Sequence, residues 1–385
     1  MHEDEGQPGR RGSVIRDPGE IASLPRAELA VLRPVLEEFE FRVSRYYASL
    51  VQWDDPADPL RRLVLPHRSE LEDDFPYDAS DEAANTQVRG LQHKYPRTAL
   101  LLLTEVCASY CRFCFRKRFT LATGDEHHIA PADSRETRLD VAAGLDYIRR
   151  HTEIDNVLLT GGDPLMLSAR RIADVLRQIC EVPHVRTIRI GTKVPAFDPD
   201  RLTEELLCAF DDVRSTGRRV VVVAHFNHSR ELTAKALDKV ELLLSRGVSL
   251  VNQTPVLRGV NDDVTELVRL LGGLAEAGVI PYYLFQCRPV HGNESFMLPI
   301  QDTLHLIGQA RAQLNGLARR FRYVASHAAG KIEVLGLYED RLAFRFHEAR
   351  DPADEGRLFT MPADAPVHWP EPPAVMGDAR CDQDR

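Results

Sequence analysis

Apolar positions along this chain gather into short unbroken runs, separated by longer stretches where they recur every three or four residues. Leu100-Leu101-Leu102-Leu103, Val157-Leu158-Leu159-Thr160, Thr187-Ile188-Arg189-Ile190, Val220-Val221-Val222-Val223, Leu250-Val251-Asn252-Gln253 and Tyr282-Tyr283-Leu284-Phe285 have the length and character of buried strands. Helical spacing predicts helices near 137–151, 168–181, 200–211, 232–247, 263–278 and 301–318. Strand and helix thus alternate through six units, which makes a parallel α/β sheet the expected fold class. Six units are too few for the closed eight-fold barrel, so the expectation is an open partial (βα)6 TIM-type barrel with its site at the C-terminal ends of the strands. A doubly wound sheet is the competing arrangement.

The flanks break this rhythm. From Ile21 to about Tyr47 the apolar residues Leu29, Leu32, Val35, Leu36 and Phe39 keep helical spacing, and a Pro- and Asp-rich passage around residues 53–59 opens an irregular stretch to about His93. Beyond the sixth unit, Phe321-Arg322-Tyr323-Val324, Ile332-Glu333-Val334-Leu335 and Leu342-Ala343-Phe344-Arg345-Phe346 read as short strands. The expected organisation is a disordered tail over 1–20, an N-terminal helical and irregular region over 21–93, the barrel over 94–320, a β-rich extension over 321–360 and a Pro-rich disordered tail over 361–385.

Composition narrows the function classes. The 385-residue chain carries a net charge of −9, and its one basic triplet, Arg116-Lys117-Arg118, is too short to track nucleic acid. No apolar run reaches membrane-spanning length, and Met1-His2-Glu3-Asp4-Glu5 has none of the apolar character of a signal peptide, so a soluble cytoplasmic protein is expected. Seven cysteines is an odd number, with Cys180, Cys208, Cys287 and Cys381 scattered, as suits a reducing compartment rather than a disulfide framework.

The other three cysteines carry chemistry. Cys107, Cys111 and Cys114 stand at C-x-x-x-C-x-x-C spacing directly after the first strand, on one short loop. Three thiolates are one short of a closed structural zinc or a fully cysteine-ligated cluster. A [4Fe–4S] cubane so held keeps one iron open to an outside ligand; a partial zinc site and three unrelated core cysteines are the bland alternatives. After the second strand, Gly161-Gly162-Asp163-Pro164 forms either a plain turn or a place where a ligand approaches the backbone closely.

The cysteine spacing resembles that of the radical S-adenosylmethionine (SAM) enzymes, where SAM binds the open iron. Gly161, Gly162, Asp163 and Pro164 then match the motif that contacts the SAM amino group. Within that superfamily, Phe41 to Tyr47, His93-Lys94-Tyr95-Pro96, Ile188 to Gly191, His225-Phe226-Asn227-His228, Asn252-Gln253-Thr254, Leu257 to Asp262 and Pro281 to Cys287 resemble, in order, blocks of the lysine 2,3-aminomutase family. The resemblance covers about residues 39 to 346. It implies an isomerase that uses the cluster, SAM and pyridoxal 5′-phosphate (PLP) to move an amino group between adjacent carbons. It also implies His225 and Gln253 along the SAM pocket, Lys331 as the PLP lysine and Arg116 against the substrate α-carboxylate. Lysine is a PLP ligand because its amine condenses with the aldehyde, although Lys331 read without the family is only an exposed lysine in a hairpin. Arg116 alone reads equally as a cluster-loop or phosphate contact.

Departures from the pattern bear on the substrate. Where lysine-specific enzymes place aspartates against a distal ammonium, this chain has Arg288 and the carboxylate-free Val324-Ala325-Ser326-His327. A guanidinium there repels a lysine side chain and favours a distal anion, as in the glutamate branch, unless Arg288 turns aside to Glu294 or Asp302. His327-Ala328-Ala329 in place of glycines, and Thr98 in place of an arginine, put the PLP-phosphate contacts in question. The first expectation is therefore a radical SAM, PLP-dependent aminomutase acting on an amino acid other than lysine, such as glutamate. Its expected partners are that small molecule and an electron donor such as flavodoxin or ferredoxin, with room for a homo-oligomer. Two alternatives stay open: a radical SAM enzyme on this scaffold that modifies a peptide, protein side chain or other metabolite without PLP, and a non-catalytic iron–sulfur protein.

Overall fold

Each apolar run becomes a strand because one of its faces is covered by the helix that follows it. In the computed structural model, which describes residues 13–121 and 141–373, the main elements are β1 (Val14–Ile15), α1 (Arg26–Glu38), β2 (Val43–Ser44), β3 (Thr86–Val88), β4 (Leu91–Tyr95), β5 (Thr98–Thr104), α2 (Val141–Arg150), β6 (Asn156–Gly161), α3 (Ala169–Cys180), β7 (Thr187–Thr192), α4 (Glu204–Ser215), β8 (Arg219–Ala224), α5 (Ala234–Ser245), β9 (Ser249–Val256), α6 (Val264–Glu276), β10 (Ile280–Gln286), α7 (Ile300–Gln313), β11 (Arg322–His327), β12 (Gly330–Tyr338), β13 (Arg341–Ala349) and β14 (Leu358–Pro362).

Strands β3 to β14 form one sheet in unbroken chain order. Neighbours from β5 to β11 pair in parallel; β3 and β4 add antiparallel at one edge, β12 to β14 at the other. A doubly wound sheet reverses its strand order at a switch point. This one never reverses, so that alternative is excluded. The sheet is not closed by hydrogen bonds. Residues 321–324, expected to begin the extension, instead lie in a further parallel strand, with Tyr283 opposite Arg322 and Phe285 opposite Val324; α7 is the crossover that brings the chain back parallel.

Alternation decides the faces. Leu101, Leu103, Val157, Leu159, Ile188, Ile190, Val220 and Val222 pack with Leu145, Ile148, Ile172, Leu176 and Phe210 of the helices. Each such aliphatic side chain taken fully out of water contributes roughly 1.5–3 kcal/mol. The intervening residues, among them Leu158, Arg189, Val221 and Gln253, are half-buried on the opposite face. The two ends of the sheet meet through side chains: Lys94 of β4 donates from Nζ to the His327 carbonyl of β11 at 2.5 Å, Arg350 pairs with Asp81 at 2.7 Å, and Arg288 donates to Ser80 Oγ.

The N-terminal region covers one end of this bowl. Phe41, Val43, Tyr47, Leu60 and Leu63 pack with Ala108 of the cysteine loop and with Phe197, Leu257 and Phe296. The expected disordered tail over 1–20 is corrected where it can be seen: Val14 and Ile15 pair with Ser44 and Val43, and Ile15 is buried, because β2 otherwise has an open edge. Residues 1–12 lie outside the described residues. The stretch to His93, expected to be irregular, contains β3 and β4. At the other end, β14 pairs with β13 as far as Pro362, and Val367 accepts from the Ile300 amide at 2.7 Å, so 361–373 is ordered against α7; residues 374–385 and the expected helix start at 137–140 lie outside the described residues. No helix among the described residues is long and apolar enough to cross a membrane.

The cysteine loop is fastened to the N-terminal region by a buried ion cluster. Arg112 donates from Nε and Nη2 to the two oxygens of fully buried Glu70 at 2.9 and 2.8 Å, and Lys117 adds a contact at 3.4 Å. Burial alone raises the Glu70 pKa, but Arg112 and Lys117 outweigh it and hold the carboxyl below its ordinary value. Removing one partner of such a cluster strands the others. Glu70→Ala is therefore expected to lower stability by about 3–5 kcal/mol in denaturant unfolding, with Glu70→Gln losing less because it keeps the hydrogen-bond acceptor; equal stability of Glu70→Ala and wild type would show that the cluster holds nothing.

Candidate active site

Strand β5 ends at Thr104, and the backbone that follows is held from three sides. The Gly162 amide donates to Thr104 O at 2.6 Å and the Asp163 amide to Val106 O at 2.9 Å, from β6. From the N-terminal region, Arg42 O accepts from the Tyr110 amide at 2.8 Å, Leu63 O accepts from the Arg112 amide at 2.9 Å, and the Ser44 amide donates to Ser109 Oγ at 3.0 Å. This loop brings Cys107, Cys111 and Cys114 together. Burial pushes all three thiols up, and for Cys107 and Cys111 the neighbouring thiols add to the rise. Such a trio favours a cationic centre that relieves its mutual repulsion.

The glycines are explained by the loop itself. Gly161 has φ +131°, and a Cβ there would lie 2.3 Å from Thr104 O; a Cβ on Gly162 would lie 2.6 Å from Val106 O. Both glycines admit close approach of the cysteine loop, and the amides of Gly162 and Asp163 donate to it. Asp163 likewise turns inward: its carboxylate accepts from Thr192 Oγ1 at 2.8 Å, the Lys193 amide at 2.7 Å and the Leu165 amide at 3.0 Å. Burial raises its pKa and these donors pull it back. Pro164 opens the short 3-10 turn that Asp163 caps. The Asp163 side chain thus makes a positioning contact between β6 and β7.

His225, at the end of β8, hydrogen-bonds the Gln253 backbone and lies near Lys193 and Arg116; burial and these two cations push its pKa down to about 4, so the ring is neutral. Lys193 spans to the His225 carbonyl at 2.8 Å and to fully buried Glu231 at 2.7 Å, which also accepts from Tyr47 at 2.7 Å. Arg116 is buried, donating to Glu82 Oε1 at 2.8 Å and Thr160 Oγ1 at 3.0 Å. Its guanidinium and that of Arg288 lie over Phe115, at 4.8 and 4.3 Å from the ring centre. Arg288 does not turn to Glu294 or Asp302. It is buried beside Ser80 and near Glu82 and Arg116, and burial lowers its pKa to about 10.

Lys331 opens β12 opposite Ser326 and Glu348. It is not the exposed hairpin lysine of the bland reading. Its amine pairs with Glu348 and lies 5.1 Å from the Tyr95 ring centre and 4.9 Å from that of Tyr283. Burial lowers the Lys331 pKa, and Glu348 opposes this. Lys94 stands close by, pushed down to about 7 by burial and by the charges of Arg288, Lys331 and Arg350. Lys331 thus joins the cysteine loop through Lys94, Arg288, Phe115 and Arg116. Sequence reasoning missed Lys94, Glu82 and Glu348. For Lys94 a signal existed in its place within His93-Lys94-Tyr95-Pro96; for the two carboxylates there was none.

Comparison with known proteins follows this geometry. Residues 101–271 match the radical SAM superfamily. A provisionally named L-lysine 2,3-aminomutase of Aquifex aeolicus is 46% identical over 364 residues, covering 94% of this chain and 95% of that one. The L-lysine 2,3-aminomutase of Fusobacterium nucleatum is 33% identical, covering 84% of this chain and 74% of its own. The glutamate 2,3-aminomutase of Clostridioides difficile is 32% identical, covering 83% and 73%.

Because the three nearest atoms that a Cβ on Gly162 would strike, in Glu105 and Val106, are all backbone, the loop must move to admit one. Gly162→Ala is expected to lose most of the iron and sulfide that the purified wild-type protein retains, measured colorimetrically, while the far-UV spectrum of the sheet persists. Full iron retention in Gly162→Ala would show that this contact does not position the thiols.

Proposed function

The chain belongs to the lysine 2,3-aminomutase family of radical SAM isomerases, and from that premise we propose that it shifts the amino group of an α-amino acid bearing a distal acid, glutamate rather than lysine. The observation that carries this reading is the charge of the interior. Lys94, Arg116, Arg118, Arg288 and Lys331 gather there against Asp78, Glu82 and Glu348. Basic groups outnumber the carboxylates there, and the buried Arg116, Arg118 and Arg288 keep their charge, which suits anionic ligands. An ammonium-tailed substrate adds to the surplus; a dicarboxylate with a phosphate cofactor reduces it.

The donor sets fit the family's three cofactors. Cys107, Cys111 and Cys114 would hold the [4Fe–4S] cluster; His225, Gln253 and the backbone of Gly161 to Pro164 would border SAM; Lys331 would hold PLP, with Lys94 near its phosphate. Bound there, the cluster and SAM supply radical hydrogen abstraction, and PLP supplies a conjugated carrier for the migrating nitrogen. The remaining work belongs to the chain. Burial favours the uncharged Lys331 amine, whose Nζ can present a lone pair, while Glu348 orients that amine and opposes the loss of its proton. Tyr95 and Tyr283 flank that amine with apolar ring faces. Neutral His225 adds no charge beside Arg116 and Lys193. Arg116 would meet the α-carboxylate by exchanging its bond to Glu82, and Arg288 the distal one, as planar forks suited to carboxylates. The open sheet would serve as a partial barrel that keeps water from the reacting carbons.

The test is anaerobic incubation of the reconstituted protein with PLP, SAM, reductant and either glutamate or lysine. A β-amino acid from glutamate, loss of the visible imine absorbance in Lys331→Ala, and a rise of about tenfold or more in the KM for glutamate in Arg288→Gln are expected. Deoxyadenosine formation in a protein that never takes up PLP would select instead an enzyme that modifies some other metabolite or a peptide. Faster turnover of lysine than of glutamate would overturn the substrate reading.

A further inference from the structure

We propose that His93, His151 and Glu153 form a single-ion site for a divalent first-row cation of the zinc class, separate from the cysteine loop. One ligand atom from each of these residues lies within 4.8 Å of the others. They come from two segments, β4 and the turn that follows α2, beside the start of β5, whereas the thiols follow its end.

The donors are already oriented. His93 Nε2 is 3.1 Å from Pro96 O. A carbonyl only accepts, so the ring proton sits on Nε2 and the Nδ1 lone pair faces the cluster, where it now accepts from Tyr147 OH at 3.0 Å. That is how metal-binding imidazoles are commonly steadied from behind. The His151 ring is held by stacking on Tyr147, with centres 3.9 Å apart and planes 18° from parallel, and by Glu153 Oε1 at 2.8 Å. A cation entering here displaces the tyrosine hydrogen bond to His93 and competes with the His151–Glu153 contact, a loss that three metal–ligand bonds outweigh. Glu153 is exposed and gives the ion a way in from solvent. Two imidazoles, one carboxylate and a water complete a tetrahedral shell. The consequence is mechanical. His93 immediately precedes Lys94 and Tyr95, which lie near Lys331, so an ion at His93 would clamp β4 to the turn after α2.

Zinc chloride is the probe, added to the full chain with its iron–sulfur cluster loaded so that the thiols are occupied. One zinc per chain is expected, with X-ray absorption showing nitrogen and oxygen neighbours at about 2.0–2.1 Å and no sulfur at about 2.3 Å. Zinc should raise the melting temperature of the wild type. His151→Ala and Glu153→Gln should each weaken binding by about tenfold or more and lose that rise. Glu153 is exposed, so Glu153→Gln decides the matter should His151→Ala fail to fold. No retained zinc at micromolar concentration, sulfur in the zinc shell, or equal binding by wild type and Glu153→Gln would overturn the site.

Discussion

The approach of β6 to the backbone leaving β5 is the contact on which the rest of the site is built. At Gly161 and Gly162 two main chains run closer than any side chain permits, and two amide-to-carbonyl bonds lock the approach. Without it the cysteine loop has no fixed exit direction. With it, Tyr110 and Arg112 reach the N-terminal region, and Arg116 is buried against Glu82 and Thr160. The third residue of the same turn, Asp163, carries the constraint across to β7 through Thr192 and Lys193. Lys193 then reaches His225 on β8. One tight contact between neighbouring strands is thus passed around the rim of the sheet.

The interior depends on a second balance, between desolvation and like charge. Lys94, Arg288 and Lys331 are all driven toward lower pKa by burial, and carboxylates from unrelated parts of the chain oppose this incompletely. Glu82 comes from a short turn ahead of β3, and Glu348 from the last residues of β13. Charges of this kind are destabilising in a finished core and useful in a site that awaits a multiply charged ligand.

Much of the fold was legible because burial on one face writes itself into a two-residue period, and the helices between strands write a longer one. The three cysteines were legible because all their spacing is local. The family resemblance extended that reading to Lys331, which the structure finds half-buried rather than exposed. What escaped was set by distance along the chain. Glu348 meets Lys331 only through the β12–β13 pairing, and Glu82 meets Arg116 only because the sheet curls. Nothing in residues 78–85 or 341–349 announces those partners. The glycines were noticed for their conformational freedom, but their approach to Thr104 and Val106 was not, since a sequence shows that a side chain is missing without showing what lies in its place. The Val14–Ile15 strand and the ordered 361–373 were hidden by polar, proline-bearing composition, whose few apolar residues suffice once a surface exists to receive them.

Lastly, the two ends of the curved sheet are joined by Lys94, Arg350 and Arg288 instead of a main-chain ladder. A ladder yields as a unit, whereas separate polar ties yield one at a time and re-form with water in between. The molecule therefore possesses a built-in line of parting beside Lys331, and bulky reagents can be admitted by unfastening a few long side chains while every strand keeps its neighbours.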